Sequence, residues 1–146
     1  MSSDEPDTTE EVPRPTRYFT PAEANGLLPE LVAHVATISD HLERVRSLSE
    51  SARVAPEDER DRLGDEIDQL RRDIEANIAA IQQEGVDVKG LAPGLLDFPA
   101  LFNGQEVYLC WREGETAIEW WHPLHTGYSG RQRLDPKSLA AWEWEN

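Results

Sequence analysis

The chain has a single cysteine, Cys110, two lysines, Lys89 and Lys137, and no run of about 18 apolar residues. One cysteine excludes an intramolecular disulfide framework. Without a long apolar run, no membrane-spanning helix is expected. The N-terminus is acidic and lacks the apolar core of a secretory signal, so a cytoplasmic location is expected. Cations are scarce, with 14 Lys plus Arg against 29 Asp plus Glu and a formal net charge of -15. Nucleic acid and anionic lipid both require a cationic face, so neither is expected as a partner. No Ser-His-Asp order, phosphate-cradling loop or paired-cysteine zinc spacing occurs either. No catalytic residue is therefore assigned, and no cofactor is expected.

A length of 146 residues and a hydrophobic share of 38% suit one domain with a modest core. The acidity has two readings. Many carboxylates and few lysines suit a high-salt cytoplasm, where screening tames self-repulsion. A genome that favours Arg over Lys, with two solvated acidic helices, would give the same totals.

Residues 1–17 are Ser, Thr, Pro and acidic residues with almost nothing apolar, which predicts a disordered acidic tail. Thr20-Pro21-Ala22-Glu23 then predicts a capped helix start. Behind it run Ala24, Leu28, Leu31, Val35, Ile38, Leu42 and Val45, spaced 4, 3, 4, 3, 4 and 3, the period of a coiled-coil seam. Pro56 stops this helix. A second follows over about 57–84 with the stripe Leu63, Ile67, Leu70, Ile74, Ile78 and Ile81, and Gly85 closes it. The prediction is a long antiparallel helical hairpin over 18–84. Its stripes want a second layer, supplied by the rest of the chain or by self-association into a four-helix arrangement.

Residues 85–134 predict a small antiparallel β module. Lys89 to Pro99 is punctuated by Gly and Pro and is expected to be loop. Val107, Leu109 and Trp111 alternate, as do Ile118 and Trp120. A two-residue turn at Glu113-Gly114 would pair Leu109 with Ile118 and Val107 with Trp120. That register puts His122 on the apolar face and Tyr108, Cys110 and Trp121 on the other. Asp135-Pro136 predicts a short helix holding Leu139 and Trp142 over 135–146. The fold class expected is α+β, with residues 18–146 as one domain.

Five segments recur together in one family: Phe19-Thr20-Pro21-Ala22-Glu23-Ala24-Asn25, Leu95-Leu96-Asp97-Phe98-Pro99-Ala100, Val107-Tyr108-Leu109-Cys110-Trp111, Trp121-His122, and Gly127-Tyr128-Ser129-Gly130-Arg131-Gln132. In these the chain resembles the uncharacterised-domain family 2203 of short bacterial and archaeal proteins, over about Tyr18 to Leu134. The resemblance implies the fold and names no reaction.

The expected contact site comprises Asp97, Trp121, His122, Tyr128 and Arg131. His122 and His125, three apart, make a weak metal pair with Asp97 or Glu119. More simply, His122 donates a ring N–H to a backbone carbonyl. Arg131 is expected to pair with Asp97, or else to anchor a carboxylate or phosphate. Cys110, with no cation or His expected on its face, reads as an inert buried thiol. Trp111 and Trp120 read as core, Trp121 and Tyr128 as more exposed. The leading functional expectation is a non-enzymatic interaction or scaffold protein, a homo-oligomer through its helices, with a further protein partner open. The rival is a small-molecule or metal-dependent enzyme using Asp97, His122 and Arg131.

Overall fold

In the computed structural model, which describes residues 15, 17–135 and 144–145, the first helix starts where its capping chemistry predicts. The Thr20 side chain accepts from the Glu23 backbone N–H at 3.1 Å, and the Glu23 carboxylate accepts from the Thr20 N–H at 3.0 Å. This reciprocal pair satisfies two otherwise orphaned donors. Helix α1 spans Pro21–Val54 and α2 spans Glu57–Gln83. Cross-links at His34–Asn77, His41–Asp73 and Arg44–Glu66 run in opposite chain directions, so the pair is an antiparallel hairpin. Gly85 adopts φ 91, the left-handed cap that turns Val86 back into the core.

The remainder forms an antiparallel sheet of β1 (Asp87–Leu91), β2 (Gly94–Phe102), β3 (Gln105–Arg112), β4 (Trp120–Pro123) and β5 (Gln132–Arg133), in that order. A sixth strand, β6 (Trp144–Glu145), pairs with Leu101–Phe102 of β2. The arrangement is α+β. The acidic tail expected over 1–17 falls almost wholly outside the described residues. So do residues 136–143, where the short terminal helix with Leu139 and Trp142 was expected. Trp144–Glu145 is extended, and the C-terminal helical structure among the described residues is a 3-10 turn at Tyr128–Gly130.

The expected loop Lys89–Pro99 is instead mostly strand. Gly94 belongs in β2 because a Cβ there would meet Val35 Cγ1 at 2.8 Å, so its lack of a side chain lets the strand lie against α1. Pro99 sits opposite Tyr108, between the stretches of β2 covered by β1 and β6. Its carbonyl accepts from the Phe19 N–H at 2.8 Å. A strand residue points its N and its O to the same side, so the N–H that proline lacks faces this gap and costs no ladder bond with β3. The β2–β3 hairpin turns at Asn103 (φ 52) and Gly104 (φ 79), the pair of positive angles a tight hairpin requires.

The β3–β4 register differs from expectation. Tyr108 pairs with His122, Leu109 with Trp121 and Cys110 with Trp120. The connection is a long loop across 113–119 rather than a two-residue turn. Asn25 holds it: its Oδ1 accepts from the Ile118 N–H at 2.8 Å and its Nδ2 donates to the Ile118 carbonyl at 3.3 Å. Glu113 adds a second tie, accepting from the Ser39 hydroxyl at 2.9 Å and from the Gly94 N–H at 2.8 Å. With this register Leu96, Phe98, Ala100, Val107, Leu109 and Trp111 face the helices and join Phe19, Leu31, Ile38, Ile74 and Ile81 in one cluster.

Replacing Asn25 with Ala removes both bonds to the backbone of buried Ile118 and leaves it without them. A loss of about 1–3 kcal/mol is expected, read by urea denaturation of Asn25→Ala against wild type.

Candidate functional site

Strand pleating decides which side chains meet on the sheet face turned away from the helices. Asp97 pairs with Cys110, which pairs with Trp120; Pro99 pairs with Tyr108, which pairs with His122. Asp87 of β1 lies opposite Asp97. The outer face therefore carries Asp87, Asp97, Tyr108, Cys110, Trp120 and His122. Asp97 (4% exposed), Cys110 (2%) and His122 (1%) are buried at its centre.

His122 holds two acceptors at once. Its Nδ1 lies 2.7 Å from the Pro123 carbonyl, and its Nε2 lies 3.1 Å from each oxygen of Asp97. The backbone bond is the one the sequence predicts; the carboxylate is the addition. Lys89 Nζ approaches Asp97 Oδ2 at 3.5 Å and stands over the Tyr108 ring at 4.4 Å. The Tyr108 hydroxyl donates to Asp87 Oδ2 at 2.9 Å. Burial first, then that hydrogen bond, pushes the Tyr108 phenol above its ordinary range. Burial, reinforced by the negative charge of Asp97, pushes the Cys110 thiol up to about 12.

Arg131 does not pair with Asp97. Its Nη2 donates to Glu115 Oε2 at 2.6 Å, while the other Glu115 oxygen accepts from the Arg112 N–H at 2.8 Å. The guanidinium lies over both Trp120, at 4.5 Å, and Tyr128, at 4.6 Å. The Arg131 side chain is only 9% exposed, and among the described residues its buried Nε has no hydrogen-bond partner.

Of the expected site residues, the fold brings Asp97 and His122 together and sets Arg131 with Tyr128. Trp121 leaves the site. It lies on the helix-facing side, 5.9 Å from the Phe102 ring, because the register is offset by an odd number of residues. Trp120 takes its place on the outer face and is not core. His125 is exposed and outside the cluster. Cys110 and Lys89 are the residues that sequence reasoning missed. The Cys110 position was legible: a two-residue turn at Asn103–Gly104 forces Asp97 opposite Cys110.

Among known proteins, a family model described as an uncharacterized conserved protein (DUF2203) matches residues 17–134. No curated protein matches, and no solved structure matches.

The raised thiol has a definite sign in stability. Above its ordinary 9.0 the unfolded chain loses the Cys110 proton while the folded chain keeps it up to about 12. Unfolded protein then binds fewer protons, so folding stability falls as pH rises through that window. Cys110→Ala removes this contribution. Its unfolding free energy, measured by urea titration at neutral pH and at about pH 10, is expected to fall less than that of wild type.

Proposed function

The chain belongs to the uncharacterised conserved family DUF2203, and within it we propose a cytoplasmic, non-enzymatic interaction protein that self-associates through its helical hairpin. One observation carries this reading. The hydrophobic cluster that joins helices to sheet takes in Leu28, Leu31, Val35, Ile38, Ile74 and Ile81, at the base of the hairpin. Further out, Leu48 and Ile67 are buried outside that cluster. Around them Leu63 and Leu70 remain half-exposed, as do Leu42 and Val45 where they pack against the edge of the cluster. The coiled-coil period of α1 ends at Leu42 and Val45, and the stripe of α2 beyond that edge, from Leu63 to Leu70, lies outside the cluster.

A second copy of the same hairpin supplies the missing layer and closes a four-helix arrangement. Its flanks are acidic, so association is opposed by like charge at low salt. Screening shortens the reach of that repulsion from about 10 Å at 0.1 M to about 3 Å at 1 M. The abundance of carboxylates over lysines fits a high-salt cytoplasm for the same reason.

A second reading, a small-molecule enzyme using Asp97, His122 and Arg131, is favoured by the unpartnered Nε of Arg131. An arginine fork with one buried donor free suits an oxyanion.

Sedimentation equilibrium at low and at multimolar salt tests the first reading. A dimer that tightens with salt, and that Leu63→Glu with Leu70→Glu dissociates at unchanged helicity, is expected; a monomer at both salts discards it. For the second, a thermal-shift screen of carboxylates and phosphates is expected to stabilise wild type and not Arg131→Lys. The absence of any shift removes that reading.

A further inference from the structure

The outer-face cluster carries more than an ion pair. The ligand atoms of Asp97, Cys110 and His122 all lie within 4.8 Å of one another. A carbonyl only accepts, so the 2.7 Å contact with Pro123 places a proton on His122 Nδ1. In the neutral ring this leaves Nε2 with its lone pair facing both Asp97 oxygens at 3.1 Å. Lone pair against carboxylate is repulsive unless a positive centre lies between them. That centre is either an extra proton or a metal ion.

The donor set separates the two. A proton shared by Asp97 and His122 leaves the Cys110 thiol only as a hydrogen-bond donor to Asp97. A metal ion uses all three groups. One thiolate, one imidazole and one carboxylate suit a borderline ion such as zinc, and do not suit magnesium or calcium, which take oxygen ligands. The Nδ1–H bond to a backbone carbonyl is the outer contact that metal-ligating histidines make to fix their tautomer. Charge is compatible as well: two anionic ligands and a neutral imidazole balance a divalent cation, beside the exposed Lys89 ammonium 3.5 Å from Asp97 Oδ2.

We propose that Asp97, Cys110 and His122 form a mononuclear site for a borderline divalent metal ion, zinc foremost, with a fourth position open to water or ligand. Binding replaces the thiol S–H bond with a metal–sulfur bond and releases that proton. Any proton bridging His122 and Asp97 leaves in the same step, with no change of oxidation state. The site is independent of the assembly reading, which rests on the far end of the hairpin, and it differs from the His122–His125 pair that spacing alone suggests.

The test uses the full chain, stripped with a chelator and titrated with cobalt(II) and then zinc(II). One equivalent of cobalt is expected, with a sulfur-to-cobalt charge-transfer band, tetrahedral visible bands and proton release into weakly buffered solution. Zinc displaces it. Cys110→Ser is expected to abolish the charge-transfer band and weaken zinc binding beyond the roughly 10- to 100-fold typical of outer-contact changes. Because Asp97→Asn and His122→Gln could unfold the chain, circular dichroism accompanies each, and the near-isosteric Cys110→Ser is the deciding variant. His125→Ala is expected to bind like wild type. Absence of stoichiometric binding, retention of full affinity in Cys110→Ser, or loss of binding in His125→Ala would each overturn the proposal, the first leaving a proton-sharing His122–Asp97 pair.

Discussion

Each buried polar residue of the outer face is where it is because its chain neighbours are buried against the helices. Asp97 lies between Leu96 and Phe98, Cys110 between Leu109 and Trp111, and His122 follows Trp121. Alternation along a strand leaves no other option: committing Leu96, Phe98, Leu109 and Trp111 to the helical layer sends the residues between them to the opposite side. Burying such a side chain contributes about 1.5–3 kcal/mol. A one-residue slip would forfeit several of these at once, so the hydrophobic core sets the geometry of the polar cluster without touching it.

The cluster in turn has to be stable where it is put. A carboxylate as buried as Asp97 is costly unless paired. Lys89 supplies an ion pair, His122 Nε2 lies against both carboxylate oxygens, and Tyr108 and Asp87 extend the polar layer toward the β1 edge. On the β4 side, Arg131 lies over aromatic rings and joins the 113–119 connection through Glu115, which also accepts the Arg112 N–H. The Trp111 indole donates to the Glu115 carbonyl at 2.9 Å, so the same turn satisfies the buried donor of the largest core residue. Core and outer face thus share one loop.

The hairpin divides differently. Its base is a layer of the core, tied to the sheet side by Asn25, Ser39 and the Phe19 contact to Pro99. Among the described residues, its outer end is two helices with only each other for cover. No helix among the described residues is long and apolar enough to cross a membrane, and the acidic flanks of the outer end face solvent.

Short-range chemistry made much of this legible in the sequence. The capping box at Thr20 and Glu23, the stop at Pro56, the left-handed Gly85 and the 3.5-residue stripe act within one or two turns, so neighbouring residues suffice to read them. The Asn103–Gly104 turn, which sets Asp97 against Cys110, is as local, yet with Lys89–Pro99 expected as loop the hairpin expected from the sequence lies at Glu113–Gly114 instead. Gly and Pro between Lys89 and Pro99 mislead, because they hide strand whose special positions are explained by Val35 and Phe19, distant in the chain. The β3–β4 register, the exchange of Trp120 for Trp121 on the outer face, and the meeting of Cys110 with His122 also lay beyond local reading. They depend on how a seven-residue connection is pinned by Asn25, 93 positions before Ile118. The sequence by itself determined the helices and their caps, because those interactions close over a few residues. Only the tertiary structure decided which polar side chains share a face, because that parity is set by packing between segments that the chain order does not bring together.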